Sequence, residues 1–167
     1  DRVKTGKMDV KSRIRHQPGK NWENEYHIKL HDAAIKWTHF PYGLRNVSGF
    51  IDVYPDHWEF KQFQGTHRGG HVLVHGKSIP KEDAKGQQTF GISLEITGRN
   101  VPMDDQLREA LKPMPGLFKA WDTFKPSGSL YFTASVDRPT ADIKDLKVIV
   151  DARGVSVTPI FLPYLID

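Results

Sequence analysis

The chain contains no cysteine. That excludes disulfides, thiolate metal sites and cysteine nucleophiles together. No apolar run approaches the ~20 residues that a membrane-spanning helix requires, and no secretory leader is visible. The chain opens on Asp1-Arg2-Val3 and stops on Leu165-Ile166-Asp167 inside an apolar run, so both ends read as trimmed. Targeting signals are expected outside the segment. No nucleic-acid-binding motif is present, and a net charge of +4 is too small to demand one. No nucleophile–base pair or full set of metal ligands is evident, so no enzyme activity, cofactor or metal is expected.

What is present is alternation. Met8, Val10, Ser12 and Ile14 face one way, with Asp9, Lys11, Arg13 and Arg15 opposite. The same period of two recurs at Tyr26-Ile28-Leu30, Ile35-Trp37, Val47-Gly49-Ile51-Val53 and Trp58–Phe63. It continues at Val72-Val74, Phe90-Ile92-Leu94-Ile96, Leu130-Phe132-Ala134-Val136, Leu146-Val148-Val150 and Val155-Val157. Period two is the signature of a strand with one buried face. The pattern predicts about ten strands in an antiparallel sheet that is wet on one side. One stretch departs from it. Asp104 or Asp105 can cap a helix, and Leu107, Ala110 and Leu111 follow at helical spacing. Pro113-Met114-Pro115 interrupts before Leu117, Phe118, Trp121 and Phe124. The expected fold is therefore mainly β: antiparallel amphipathic strands forming an open groove or taco-like sheet, with one broken helical insert at about 104–124. The insert's apolar stripe is expected to cover the sheet's open face, with a membrane-surface or gating role as the alternative.

An internal repeat is also expected. Met8–Arg15, Pro18, Tyr26–Leu30 and Asp32-Ala33 are echoed by Leu130–Val136, Pro139, Leu146–Val150 and Asp151-Ala152. Each copy then reaches a Pro-Tyr pair, Pro41-Tyr42 or Pro163-Tyr164. Residues 1–167 would be one β-rich fragment of a longer repeat protein, with a unit at about 8–129 and the next beginning at about 130–167. Such units stack because none buries its apolar face alone.

Four constellations invite sharper readings. His67, His71 and His75 have a zinc-like spacing, but Gly69-Gly70 divides them and no carboxylate or cysteine completes the set, so a solvated polar face is expected. Asp52 and Glu59 meet across a hairpin at Pro55, where paired carboxylates would need split pKa values to hydrolyse glycosides. Trp22, Trp37, Tyr54 and Trp58 are candidate sugar-stacking platforms, though aromatics favour strands for packing alone. Lys11, Arg13 and Arg15 make a basic stripe that suits an outer face and discourages edge pairing.

The run Leu44-Arg45-Asn46-Val47-Ser48-Gly49-Phe50-Ile51, followed by Gly69-Gly70 and Val72-Leu73-Val74-His75-Gly76, resembles the strand rhythm of AsmA-like and TamB-like bacterial envelope proteins. Asn100-Val101-Pro102-Met103-Asp104 with Leu107 is similar to the insert of some AsmA-like chains. The resemblance covers most of residues 26–167. It implies a bridge-like, repeating β-groove that shields acyl chains during lipid transfer between membranes. It implies no catalytic residues, a cell-envelope and periplasmic location, and membrane anchoring through parts outside this fragment; the helical insert departs from an uninterrupted groove. The expected partners are lipid acyl chains and neighbouring repeats of the same chain, with no nucleic acid. The expected groove residues are Ile28, Leu30, Ile51, Val53, Val72, Val74, Ile92, Leu94, Phe132, Val148 and Val150. The alternatives are a structural or adhesive β-repeat with a dry packed core and, less favoured, a carbohydrate-binding β-sandwich.

Overall fold

The computed structural model describes residues 2–19, 21–37, 40–82, 86, 88–139 and 147–161. Eight strands follow one another in a single antiparallel meander: β1 (Arg2–Arg15), β2 (Glu23–Lys36), β3 (Gly43–Val53), β4 (Trp58–His67), β5 (Gly70–Glu82), β6 (Gln88–Pro102), β7 (Ser127–Arg138) and β8 (Lys147–Ser156). Each strand pairs with its neighbours in the chain, and the sheet is open, with β1 and β8 as its edges. Between β6 and β7 lie α1 (Asp105–Ala110) and α2 (Pro115–Phe124). The fold is mainly β with a minor helical insert, as the alternation and the break at Pro113 indicate.

The strand count is eight rather than ten because two apparent breaks are continuous strand. Asp32-Ala33-Ala34 reads as a break in sequence, but it is a bulge within β2. Asp32 adopts φ 50, and the pairing with β3 slips between Leu30 and Ala33. A bulge admits an extra residue while keeping the apolar row on one side. Val155 likewise belongs to β8 rather than to a separate strand. Gln62 does for β4 what Asp32 does for β2: with φ 49, it brings Phe60 and Phe63, three residues apart, onto one face.

The helices begin and end for local reasons. The Asp104 carboxylate accepts the Leu107 N–H at 2.9 Å, capping α1. α2 starts with Pro115, whose missing N–H costs nothing in the first turn. It stops at Lys125, which takes a left-handed conformation at φ 43. Leu107 and Ala110 of α1 are buried against Tyr42, Val72, Val101 and Leu130. α2 buries no residue fully, and Leu117 and Phe124 are exposed. The covering role expected of the whole insert thus falls mainly to α1, with Trp121 of α2 packing at its side.

The two segments expected to repeat are both antiparallel hairpins, β1–β2 and β7–β8. They differ locally: Asp32 lies in the β2 bulge, whereas Asp151 pairs in register with Thr133. Pro163-Tyr164 falls outside the described residues.

Candidate functional site

The register of the sheet decides which side chains share a surface. Ile28 faces Ile51, Ile51 faces Phe60, Phe60 faces Gly76, Gly76 faces Leu94, Leu94 faces Val136, and Val136 faces Val148. A second row runs from Phe63 through Val74, Ile96 and Ala134 to Val150. A third runs from Gly65 through Val72 and Gly98 to Phe132. Val53 pairs with Tyr26, two residues from Ile28, and Ser78, two from Gly76, pairs with Ile92. Paired residues lie on the same side of a sheet, as do residues two apart. Nine of the eleven residues expected to line a groove therefore share one face, which reaches from β2 to β7, and Val148 and Val150 hold the matching register positions on β8. Met8 and Val10 of β1 carry it to the edge by pairing with Leu30 and Ile28.

Burial divides this face. Leu30, Val47, Leu94 and Val72 are 3%, 0%, 4% and 7% exposed, so they already form core. Leu30, Ala33, Val47 and Phe63 make a cluster on β2, β3 and β4. Ile28, Ile35, Leu44, Ile51, Phe60 and Val74 pack against this cluster and supply its cover. The helices close the end where Tyr42, Val72, Val101 and Leu130 meet α1. Towards the other end, Ile28, Ile51, Val53 and Ile92 are only half-buried. On β1, Met8, Val10 and Ile14 are 50%, 54% and 58% exposed. The side chains of Val148 and Val150 lie outside the described set. Glycines set close approaches on this face. A Cβ on Gly98 would stand 2.0 Å from Cε1 of Phe132, and one on Gly76 would stand 2.4 Å from Cδ2 of Leu94. Both large side chains lie over the space that a glycine leaves.

The opposite face is polar and cross-linked. His27 meets Asp52 at 2.8 Å, Lys61 donates to Asp52 at 2.9 Å, and Lys61 reaches Glu59 at 2.7 Å. Asp9 meets His31 at 2.7 Å, and Ser93 donates to Asp137 at 2.9 Å. Burial pushes the Asp52 carboxyl up, but hydrogen bonds from Lys61 and His27 outweigh it and hold the group below its ordinary value. Lys61 holds Glu59 low as well, against a smaller effect of burial. Glu59 and Asp52 together push Lys61 up. Asp52 and Glu59 do pair across the hairpin. Both are driven towards the ionised form, however, with a lysine between them, and this gives no split between an acid and a base.

The other constellations separate in space. His71 and His75 are exposed on the polar face, while His67 is buried on the apolar one. Among the described residues no group of three or more potential ligands could hold a metal. Trp22 is 63% exposed and stacks on His16 near the β1–β2 turn. Trp58 packs on Phe60, Tyr54 stacks on His57, and Trp37 is half-buried. These aromatics form no common platform. Lys11, Arg13 and Arg15 lie exposed along β1, with Arg13 3.4 Å from Glu25.

A cleft of about 690 Å³ sits beside α1, lined by Lys36, Arg68, Asp105, Glu109 and Lys112 among others. Its mixed charge does not suit an acyl chain. The apolar face, rather than this cleft, is the candidate site.

Sequence reasoning missed one buried polar cluster where the insert meets the sheet. His67, 9% exposed, places Nδ1 2.9 Å from the Gly43 carbonyl and Nε2 3.0 Å from Asp104 Oδ2. Arg68 donates to the same oxygen at 3.0 Å. Burial raises the Asp104 carboxyl, but the Leu107 N–H, His67 and Arg68 outweigh it and hold the group low. The Tyr42 ring lies 4.5 Å from that of His67. Among the described residues its buried hydroxyl meets no hydrogen-bond partner. Burial first, and the nearby Asp104 second, push its ionisation up. Only Asp104, read as a helix cap, was a usable signal for this cluster.

No helix among the described residues is long and apolar enough to cross a membrane. Comparison with protein-family models, curated proteins and solved structures finds no match to this chain.

Proposed function

We propose that this chain is a non-enzymatic segment of an AsmA-like envelope protein, whose apolar face lines a groove for lipid binding or transfer between membranes. One observation carries the reading: apolar side chains from successive strands register onto a single face, while among the described residues no further strand pairs with β1 or β8. An exposed apolar row on an edge strand is a surface a neighbour can cover, although Lys11, Arg13 and Arg15 blunt β1 on its other side. Here β1 ends the sheet with Met8, Val10 and Ile14 in solvent. On the repeat reading β7 and β8 open the next unit, so the strand to follow β8 would be the counterpart of β3, antiparallel to β8, and would extend the same meander. Neighbouring repeats of one longer chain, anchored to a membrane elsewhere, are the partners this edge suits. The half-buried Ile28, Ile51, Val53 and Ile92 are the residues left to meet an acyl chain. Each methylene sheltered there would contribute about 0.8 kcal/mol.

A second reading, a structural β-repeat with a dry core, is favoured by one fact. Leu30, Val47 and Phe63 reach 3%, 0% and 9% exposure through packing with the chain's own side chains. The two readings part under mutation. Leu94→Asp places a charge at a core position and would disrupt folding in either case. Ile92→Asp places it on the half-buried part of the face. On the groove reading Ile92→Asp abolishes binding of a fluorescent fatty acid or phospholipid by a folded protein of two or more units, and Glu95→Lys on the polar face leaves binding unchanged. Absence of lipid binding in the wild type, or equal effects of the two variants, leaves the packed structural repeat in its place.

A further inference from the structure

We infer that His67 and Asp104 form a proton-dependent latch that fastens the helical insert across one end of the apolar face. The observation is the pair of acceptors that His67 faces. Nδ1 points at the Gly43 carbonyl oxygen and Nε2 at the Asp104 carboxylate, at 2.9 and 3.0 Å. A neutral imidazole carries one N–H and one lone pair. In either tautomer one ring nitrogen would therefore press a lone pair against an acceptor in a site that is 9% exposed. Only the imidazolium donates to both. A buried polar contact left unmade in this way costs far more than an exposed one.

The charges around the ring agree with this. Asp104 is the anion facing it from the start of α1, and Arg68, 70% exposed, is the cation that shares Oδ2 from the end of β4. Tyr42, preceding β3, is the remaining titratable neighbour among the described residues and presents its ring. Asp104 also caps α1 through its other oxygen. The one carboxylate thus ties the start of the helix to β4 and, through His67, to β3. Two events release it. Protonation of Asp104 removes the acceptor, and deprotonation of His67 removes a donor. The insert is held most tightly when the ring carries both protons and the carboxylate is ionised, and it loosens when either condition is lost. Loosening uncovers Tyr42, Val72, Val101 and Leu130, which α1 otherwise shields. The latch belongs to the fold and stands whether or not the face holds lipid.

The test uses the intact chain. Long-range ¹H–¹⁵N spectra show directly whether both ring nitrogens of His67 carry protons, and hydrogen exchange at the Leu107 and Leu111 amides reports opening of α1. In the wild type with the latch closed, both nitrogens are protonated. Opening, corrected for the intrinsic exchange rate, rises about ten- to a hundredfold as the ring loses its proton, the range expected for one hydrogen bond to a charged group. His67→Gln keeps polar contacts but cannot become charged, and its α1 exchange loses that pH dependence. The inference is overturned by a His67 ring with a single protonated nitrogen at every pH where the chain is folded. It is equally overturned by a corrected opening rate that does not change with pH in the wild type, or that changes identically in His67→Gln. Should His67→Gln fail to fold, the wild-type spectra and exchange decide alone.

Discussion

Gly98→Ala is the smallest change that tests the packing of the apolar face. Gly98 sits on β6 between Val72 on β5 and Phe132 on β7. A Cβ there would lie 2.0 Å from Cε1, 2.5 Å from Cδ1 and 2.8 Å from Cζ of Phe132. The obstacle is a side chain rather than backbone, so the ring must swing by about 1.5 Å to restore ordinary contact. Phe132 is half-buried against the cluster of Tyr42, Val72, Val101, Leu107 and Leu130. Full burial of a phenylalanine contributes about 1.5–3 kcal/mol, so losing roughly half of it costs about 1–1.5 kcal/mol. Alanine in a strand regains about 0.5–1 kcal/mol over glycine. The net expectation is destabilisation of roughly 0.5 kcal/mol in the wild type. In a Phe132→Ala background the clash is gone, and the same Gly98→Ala change stabilises by about 0.5–1 kcal/mol. Urea denaturation of the four proteins in this cycle gives the coupling. Stabilisation by Gly98→Ala in the wild type, or simple additivity, would refute the claim that the ring occupies the glycine's space.

Four further outcomes follow from the same structure. Leu130→Ala, at a site 6% exposed beneath α1, lowers stability by about 2–5 kcal/mol in urea titrations, as for other buried leucines. Asp104→Ala removes the cap on α1 and lowers stability by about 1 kcal/mol or more; amides of α1 lose protection from exchange while those of β3 keep theirs. On the acid side, Asp52, Glu59 and Asp104 are all held below their ordinary values. Their contribution is present above the ordinary carboxylate range, about pH 4, and is lost as pH falls through the lowered folded values. Circular dichroism against pH therefore shows a transition on the acid side of pH ~4. Lys61→Met leaves Asp52 and Glu59 as facing like charges, so that variant is destabilised more at neutral pH than at low pH.

The aromatic residues and the insert show where sequence reasoning stops. Alternation placed Ile28, Ile51, Val72, Ile92 and Phe132 on one side because strand geometry alone ties every second residue to one face. It did not separate Leu94, which is core, from Ile92, which is half-exposed, since both alternate identically. That distinction depends on what each paired neighbour leaves open, such as Gly76 opposite Leu94. Trp22 and Trp58 likewise looked equivalent, yet one lies exposed at a turn and the other packs on Phe60.

The sequence by itself determined the class of structure and the identity of the apolar face. A period of two admits only strands, and Pro113-Met114-Pro115 divides the insert wherever it docks. Tertiary structure decided the bulges at Asp32 and Gln62, which keep the rows in phase, and so the number of strands. It also decided the meeting of His67 with Asp104, residues far apart in the chain, whose contact depends on where α1 comes to rest on the sheet. Local periodicity is a property of adjacent residues and is written in their order. Register, burial and charge pairing between distant strands belong to the whole sheet, because each depends on side chains that only folding brings within reach.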